Sequence, residues 1–291
     1  MKLKLKTYKF IFFILASIII YGFNTYPLDN TNTPIKSTSI TAEKYQNKIL
    51  YIEGTGEGTG AEIRLNDIPI GYLSPKGDSE MKHIQVELNI VTGKNKLSVY
   101  PSSNKGNIAV RLVRYTEGDW IDGVGGETLL LIKTKNDDSP VHKEITLSGK
   151  KPHWSWLNAD VISDPKSHKE AIAFAKSFYN NLKDLENLDE IITALNPIYY
   201  DMSAIDPEIT LSIRNKELRK SLLENSKKNI WQFDDIDTLS FTAIPVGNGR
   251  LYDLRRTDGS PLIRTNQNSK WDRITYRNII GRKNGIWQFY R

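Results

Sequence analysis

The side chains that could do chemistry are few and scattered along this sequence of 291 residues. It contains no cysteine, which excludes disulfides, thiolate metal ligands and a cysteine nucleophile. The four histidines, at positions 83, 142, 153 and 168, lack the spacing of metal ligands. The motifs G-x-S-x-G and H-E-x-x-H and the Walker loop are absent as well. We therefore expect no metal, no cofactor and no catalytic residue, and a non-enzymatic function is favoured.

Two acidic stretches leave alternatives open. Residues 233–237 (FDDID) bring three carboxylates close together, which general acid–base catalysis could use, but solvated aspartates are also common where a helix gives way to a strand. Residues 119–127 (DWIDGVGGE) combine carboxylates with three glycines, without the full ligand spacing of a calcium loop. Both stretches are interpreted as polar connections, with catalysis and calcium binding as the alternatives.

A glycine-rich stretch at residues 54–60 (GTGEGTG) has a third possible chemistry, the binding of phosphate. Its spacing does not match G-x-G-x-x-G, and it leads into a predicted strand, whereas a phosphate loop needs a helix N-terminus behind it. We therefore predict an ordinary hairpin loop.

Basic and aromatic residues near the C-terminus form the most suggestive combination in the sequence. Along residues 273–278, the alternation of a strand puts Arg273, Thr275 and Arg277 on one face. Trp, Tyr and Arg are the residue types that dominate protein–protein hot spots. The predicted partner-binding residues are Arg264, Trp271, Arg273, Arg277, Arg282 and Trp287.

The distribution of charge also favours the C-terminal residues as a binding surface. Four of the 40 Lys and Arg residues lie in residues 1–27, which leaves 36 against 34 Asp and Glu in the rest of the chain. Residues 250–291 carry ten basic and three acidic residues, so the positive excess is local. Such asymmetry indicates a basic face for an acidic protein partner. The alternative is that these are strands with solvated, Arg-rich outer faces.

The first 27 residues predict where the protein works. Lys2, Lys4, Lys6 and Lys9 precede a mostly apolar run of 14 residues, the dimensions of a secretory signal peptide. A membrane-spanning helix needs about 20 such residues. Residues 1–27 are therefore predicted to be a signal peptide or, if uncleaved, a short anchor and the only membrane contact. The protein is expected to be exported to the periplasm or cell envelope, where nucleic acid is not an expected partner.

Behind this leader and a polar linker at residues 28–43, residues 44–149 predict an all-β sandwich domain. Short apolar-alternating runs recur eight times, separated by Gly, Pro, Asn and Asp. Residues 63–71 (IRLNDIPIG) and 91–99 (VTGKNKLSV) resemble the hairpin and the strand entry of galactose-binding-like jelly-roll modules. The resemblance implies a fold and transfers no sugar-binding residue.

Residues 150–163 are predicted to connect this domain to a second one. They contain Trp154 and Trp156, which are interpreted as packing the joint between the domains. The alternative is that the two rings form a platform on which a glycan stacks.

Residues 164–291 predict an α+β domain of two to three helices packed on an antiparallel sheet. Asp164-Pro165 is a helix start, and three Asn-Gly or Asp-Gly pairs predict hairpins near the C-terminus. Helices followed by a meander that ends in a Trp-containing strand resemble the cone-shaped fold of nuclear-transport-factor-2-like domains. That resemblance implies a site inside the cone, for which Tyr199, Tyr200 and Asp201 are the candidates.

These observations lead to three hypotheses of function. The first is an exported, non-enzymatic cell-envelope protein of the immunity or adaptor type that binds another protein. The second is a glycan-binding periplasmic protein, and the third is a cone-fold carrier or enzyme for a small ligand. If the C-terminal arginines pair with internal carboxylates and the tryptophans are buried, the protein interface has to be sought on the N-terminal sandwich.

Overall fold

The computed structural model describes residues 48–74, 80–116, 118–149, 152–162, 164–266, 274–276 and 278–291. Within these ranges the chain is mostly β-structure, with three antiparallel four-stranded sheets and three α-helices in the C-terminal half. The predicted leader and linker lie outside the described residues. Among the helices that the structure describes, none is both long and apolar enough to cross a membrane.

The N-terminal half contains eight strands, as the eight alternating runs predict. They are β1 Lys48–Glu57, β2 Ala61–Leu65, β3 Ile68–Leu73, β4 Glu80–Gln85, β5 Gly93–Pro101, β6 Asn107–Thr116, β7 Glu127–Lys135 and β8 Val141–Leu147. One sheet has the order β4-β1-β6-β7 and the other the order β3-β2-β5-β8. Side chains of both sheets, such as Ile52, Val110, Ile63 and Val99, are buried in one hydrophobic core. This shared core holds the two sheets together.

The glycines at 54 and 56 lie inside a strand, so the predicted hairpin loop is shorter than the sequence indicates. Both belong to β1, which pairs with β6 along its whole length. A Cβ at Gly56 would lie 2.7 Å from the carbonyl oxygen of Thr59, and one at Gly54 would lie 3.0 Å from Ile63 Cδ1. The glycines are therefore required for close packing at this end of the strand.

A tight turn between β2 and β3 touches the C-terminal half. Asn66 and Asp67 have φ angles of 53° and 64°, as a two-residue type I′ hairpin requires. Glycine would fit this backbone better than Asp67, but the carboxylate of Asp67 accepts a hydrogen bond from the backbone N–H of Asn248 at 2.9 Å. The Asp67 carbonyl also accepts from Gly247 N–H at 3.2 Å. The side chain thus gives a physical reason for an aspartate in the turn.

The C-terminal half packs helices on a sheet. Its helices are α1 Pro165–Asp184, α2 Leu188–Ile205 and α3 Leu211–Asn225, and its strands are β9 Phe241–Val246, β10 Leu251–Arg256, β11 Ile279–Lys283 and β12 Ile286–Phe289. The sheet has the order β12-β11-β10-β9. Its core joins Phe178 of α1 and Leu195 of α2 to Leu254 and Phe289 of the sheet. The described interior between helices and sheet is thus filled by apolar side chains.

The three helices differ in how their ends are capped and in where proline lies. The side chain of Asp164 caps α1 by accepting from Ser167 N–H, as predicted. Pro197 lies inside α2, although proline usually ends a helix. The side chain of Thr210 caps α3 by accepting from Ile213 N–H. Residues 231–235 have irregular structure, and a short 3-10 turn, Ile236–Thr238, leads from them to β9.

The connector tryptophans lie in a third core. Trp154 and Trp156 are buried together with Ile68 of β3, Leu251 of β10 and Tyr290. The indole N–H of Trp154 donates to the carbonyl of Ile90 at 2.5 Å. The two rings thus pack between the N-terminal strands and the C-terminal sheet. Neither ring offers an open face, so the glycan platform that the sequence left as an alternative is not formed by these residues.

Candidate functional site

The predicted basic and aromatic surface is only partly within the described residues. Trp271, Arg273 and Arg277 lie outside them. Arg282 is described, and its guanidinium pairs with Glu170 at 2.9 Å and with Asp160 at 3.5 Å.

The other described members of that set are occupied as well. The guanidinium of Arg282 lies over the ring of Trp287, 5.7 Å from its centroid. Trp287 is half-buried and stacks on Tyr252 at 6.2 Å. Arg264 has a mostly buried side chain that pairs with Asp258 at 3.4 Å. All three described residues of the predicted partner-binding set are therefore engaged within the fold.

Neighbouring arginines follow the same pattern. Arg256 donates to Asp234 at 2.5 Å, Arg291 to Asp201 at 2.9 Å and Arg250 to the carbonyl of Ala159 at 2.5 Å. Arg255 pairs with Glu62 of β2 and with Asp253 of its own strand. Burial acts to raise the pKa of Asp253 and outweighs the opposing effect of Arg255. The positive charge of residues 250–291 is thus largely neutralised by internal partners wherever it is described.

The residues proposed for a cone interior are separated by the structure. Asp201 is buried and accepts hydrogen bonds from Ser155 and Arg291. Tyr199 is half-buried and packs against the helix–sheet core, whereas Tyr200 is exposed on the surface of α2. They do not line a common interior site.

A different surface carries the most exposed tryptophan in the described part of the chain. Residues 118–126, here called the β6–β7 loop, contain Trp120, which is 90% exposed. Ile121 and Val124 of the same loop are also exposed. Single exposed apolar residues are common, whereas here three lie within five positions of one loop.

The backbone of this loop is fixed by side chains at its base. Asp122 accepts hydrogen bonds from the N–H groups of Val124 and Gly125 at 2.9 and 2.8 Å. These bonds lower the pKa of the Asp122 carboxyl, so it stays ionised. Arg111 of β6 donates to the carbonyl of Gly125 at 3.0 Å. A Cβ at Gly126 would lie 2.4 Å from Val113 Cγ1, so only glycine allows the loop to return this close to β6.

Arg111 is itself held by a buried carboxylate. Glu53 of β1 accepts from Arg111 Nε at 2.8 Å and from the Tyr115 hydroxyl at 2.5 Å, and its carboxylate lies 3.2 Å from His83 Nδ1. Burial acts to raise the pKa of Glu53, but the bonds from His83, Tyr115 and Arg111 outweigh it and lower that pKa. Burial and Glu53 together raise the pKa of Tyr115. Both carboxylate oxygens are engaged, so Glu53 is an anchor for Arg111 rather than a free acid or base.

The sequence predicts a polar connection here, with calcium binding as the alternative. In the described residues, no group of three or more His, Cys, Asp or Glu side chains could hold a metal ion. One carboxylate oxygen of Asp122 is used on the loop backbone, and Asp119 accepts from Thr116 N–H at 2.8 Å. The available signal was a tryptophan between aspartates and glycines, a context typical of a solvated loop.

Comparisons of the chain with protein-family models, with curated proteins and with solved structures gave no significant match. The resemblances to jelly-roll modules and to cone-shaped domains stay predictions.

Proposed function

We propose that this protein is an exported, non-enzymatic cell-envelope protein that binds another protein through the β6–β7 loop. The observation that carries the proposal is the exposure of Trp120 on a loop whose backbone is already fixed. Ordering a flexible loop opposes binding, and a fixed loop avoids that cost. Tryptophan is also among the residue types most enriched in binding hot spots.

The charge of the loop defines the kind of partner. Residues 117–127 contain four acidic residues and no Lys or Arg. Glu127 pairs with Arg114 of β6, whereas the carboxylates of Asp119 and Asp122 accept from backbone N–H groups. The expected partner therefore has an apolar pocket for Trp120 bordered by basic side chains. This partner is opposite in charge to the acidic one expected from residues 250–291, because the described arginines of that segment are paired internally.

The loop needs a neighbouring surface to make a stable complex, since a standard interface uses about 20–30 residues a side. The strand that follows it, β7, lies at the edge of its sheet and pairs only with β6 among the described strands. The edge of β7 that faces away from β6 has no hydrogen-bonded strand among the described residues, although β7 also contacts β8 of the other sheet, and this edge can pair with an extended segment of the partner. The proposed interface thus consists of the loop as anchor and the edge of β7 as its extension.

Two further parts of the proposal come from the sequence and the cores. The basic and apolar leader, residues 1–27, supports export to the periplasm or cell envelope. Separate hydrophobic cores in residues 44–149 and 164–291 support a division into a β-sandwich domain and an α+β domain. In this arrangement the first domain carries the protein-binding loop.

The test is site-specific photocrosslinking of the full chain in its own cell envelope, with a benzophenone amino acid at Ile121. We expect one dominant crosslinked protein, which is then purified and titrated against the wild type. The variant Trp120→Ser should weaken that complex by more than about 30-fold, the effect of losing a hot-spot side chain. The matched control is Ile286→Ser, which removes a side chain that is 62% exposed on β12.

Two results would overturn the proposal. One is the absence of any specific crosslink from position 121 when a benzophenone at other exposed positions does capture neighbours. The other is a purified partner that binds Trp120→Ser as tightly as the wild type. Salt adds a third readout, because an acidic loop meeting a basic rim should associate more slowly as ionic strength rises.

A further inference from the structure

A cleft of about 440 Å³ opens in the C-terminal half, far along the chain from the β6–β7 loop. It lies where the connector, α2, the start of α3 and the hairpin of β11 and β12 meet. Its volume is within the range of about 300–1,000 Å³ that is usual for small-molecule sites. The cleft is large enough for one or two sugar rings.

The lining of the cleft is mostly neutral and able to form hydrogen bonds. It includes the side-chain amides of Asn158, Asn196 and Gln288 and the hydroxyl of Ser155. Each amide both donates and accepts, and so does each hydroxyl. Asp and Glu are absent from the described lining, and its one Lys or Arg residue is Lys283. This set complements a ligand rich in hydroxyl groups better than a strongly charged one.

Two of the lining groups have hydrogen-bonding capacity that the described protein does not use. The side-chain amide of Gln288 makes no hydrogen bond to a described residue. The hydroxyl of Tyr290 is buried and likewise has no hydrogen-bond partner there. Burial raises the pKa of Tyr290 to about 12, so at neutral pH its hydroxyl keeps the proton that it can donate. A buried polar group without a partner is unfavourable until a ligand or water satisfies it.

The remaining polar groups of the cleft are held in position by internal contacts. The hydroxyl of Ser155 donates to Asp201 at 2.7 Å, and Asp201 in turn pairs with Arg291 at 2.9 Å. The side-chain oxygen of Asn196 accepts from Asn215 of α3 at 2.9 Å. A polar site whose groups are already oriented loses less entropy when a ligand binds.

An aromatic ring stands at the side of the cleft. Tyr200 of α2 is 60% exposed, and Pro197, one turn earlier, also lines the cleft. The apolar C–H face of a pyranose can pack on such a ring, while its hydroxyls reach the amides. An exposed tyrosine beside neutral amides is a combination that a sugar can use on both its apolar and its polar sides.

We propose that this cleft is a binding subsite for a neutral saccharide unit. Tyr200 packs against the sugar ring, and the side-chain amide of Gln288 forms hydrogen bonds with its hydroxyls. The site differs from the buried tryptophans, and its residues are separate from those of the β6–β7 loop. If no saccharide binds the cleft, the proposed protein-binding function of the loop is therefore unaffected. Likewise, the absence of a protein partner would not affect the saccharide proposal.

The test titrates the full chain with cellotriose, maltotriose and chitotriose, and with trigalacturonate as an acidic probe, by calorimetry. We expect saturable binding of at least one neutral trisaccharide, with Kd values rising by about tenfold in Tyr200→Ala and Gln288→Ala. The matched control is Tyr72→Ala, which removes an exposed tyrosine of β3.

Three results would overturn the proposal. The first is that no neutral trisaccharide saturates the protein at concentrations up to about 10 mM, because a Kd above this value is too weak for a functional site. The second is binding that Tyr200→Ala and Gln288→Ala leave unchanged. The third is binding of trigalacturonate alone that Lys283→Gln abolishes, which would make the cleft a site for anions.

Discussion

The β6–β7 loop and the segment 250–291 use the same residue types in opposite ways. In the loop, polar groups such as the guanidinium of Arg111 fix the backbone and leave the indole of Trp120 exposed. In the segment, the guanidinium of Arg282 is occupied by two carboxylates and covers an aromatic ring. Both regions contain Trp and Asp, yet among their described tryptophans only Trp120 of the loop keeps its side chain exposed.

The difference shows that a charged composition is not the same as a charged binding site. An arginine that already donates to internal carboxylates would have to break those bonds before it could meet a partner. Removing one member of such a pair leaves the other desolvated and uncompensated, which opposes the exchange. An exposed indole on a fixed loop has no such bonds to lose. Availability, rather than residue type, separates the two regions.

The largest expected effect tests whether the arginines of the C-terminal segment hold the fold together. Asp201 is 1% exposed and pairs with Arg291 at 2.9 Å while accepting from Ser155. We expect Asp201→Ala to lower the free energy of unfolding by about 3–5 kcal/mol, because it leaves a buried guanidinium without its carboxylate. Urea denaturation of the full chain measures the loss.

The control for this prediction is an exposed ion pair on the N-terminal sheets. Lys94 and Glu144 are 2.6 Å apart, and both side chains are largely in solvent. Glu144→Ala should change the free energy of unfolding by no more than about 1 kcal/mol. If Asp201→Ala cost no more than Glu144→Ala, the arginines of the segment would not be structural, and the contrast with the loop would fail.

An intermediate effect is expected beneath the loop. Glu53→Gln keeps the size of the side chain but removes the charge that holds Arg111. We expect a loss of about 1–3 kcal/mol at pH 7, since the charged hydrogen bonds become neutral ones. The amides of Val124 and Gly125 should also exchange with solvent faster in this variant, because Arg111 no longer holds the loop. Hydrogen–deuterium exchange gives this local readout.

The effect of Glu53→Gln should depend on pH in a defined direction. The bonds to Glu53 lower its pKa in the folded state. Its contribution is therefore complete above the unfolded carboxyl pKa of about 4.3 and is lost as the pH falls through the lowered folded value. The stability difference between wild type and Glu53→Gln should shrink over that acidic range. A difference that stayed constant down to the lowest pH of folding would show that the charge of Glu53 is not what holds Arg111.

Much of this architecture could be predicted because its signals are local. The helix start at Asp164-Pro165 and the hairpin at Asn284-Gly285 depend on residues next to one another in the sequence. The alternating runs likewise gave eight strands. By contrast, the pair between Arg282 and Glu170 joins residues 112 positions apart, and no local pattern indicates it.

The exposure of a particular side chain was the least predictable property. Trp287 and Trp120 each lie two residues after a glycine. Nevertheless, Trp287 packs on Tyr252, whereas Trp120 is exposed to solvent. Secondary structure is equally hard to predict at Pro197. Proline usually ends a helix, but α2 continues beyond Pro197 because its side chains pack against the sheet. Each outcome depends on which distant surface covers the residue.

The smallest expected effect on stability is also the most informative about the loop. Trp120 makes no described hydrogen bond and is 90% exposed, so its indole contributes little apolar burial in the free protein. We expect Trp120→Ser to change the free energy of unfolding by no more than about 0.5 kcal/mol, as for most surface substitutions. Trp287→Ser, which removes a half-buried ring stacked on Tyr252, should cost several times more. A structural tryptophan would lower the stability of the free chain, whereas a binding tryptophan lowers only that of the complex. Urea denaturation of both variants without a partner separates the two roles, and a loss of more than about 2 kcal/mol for Trp120→Ser would assign it to the scaffold.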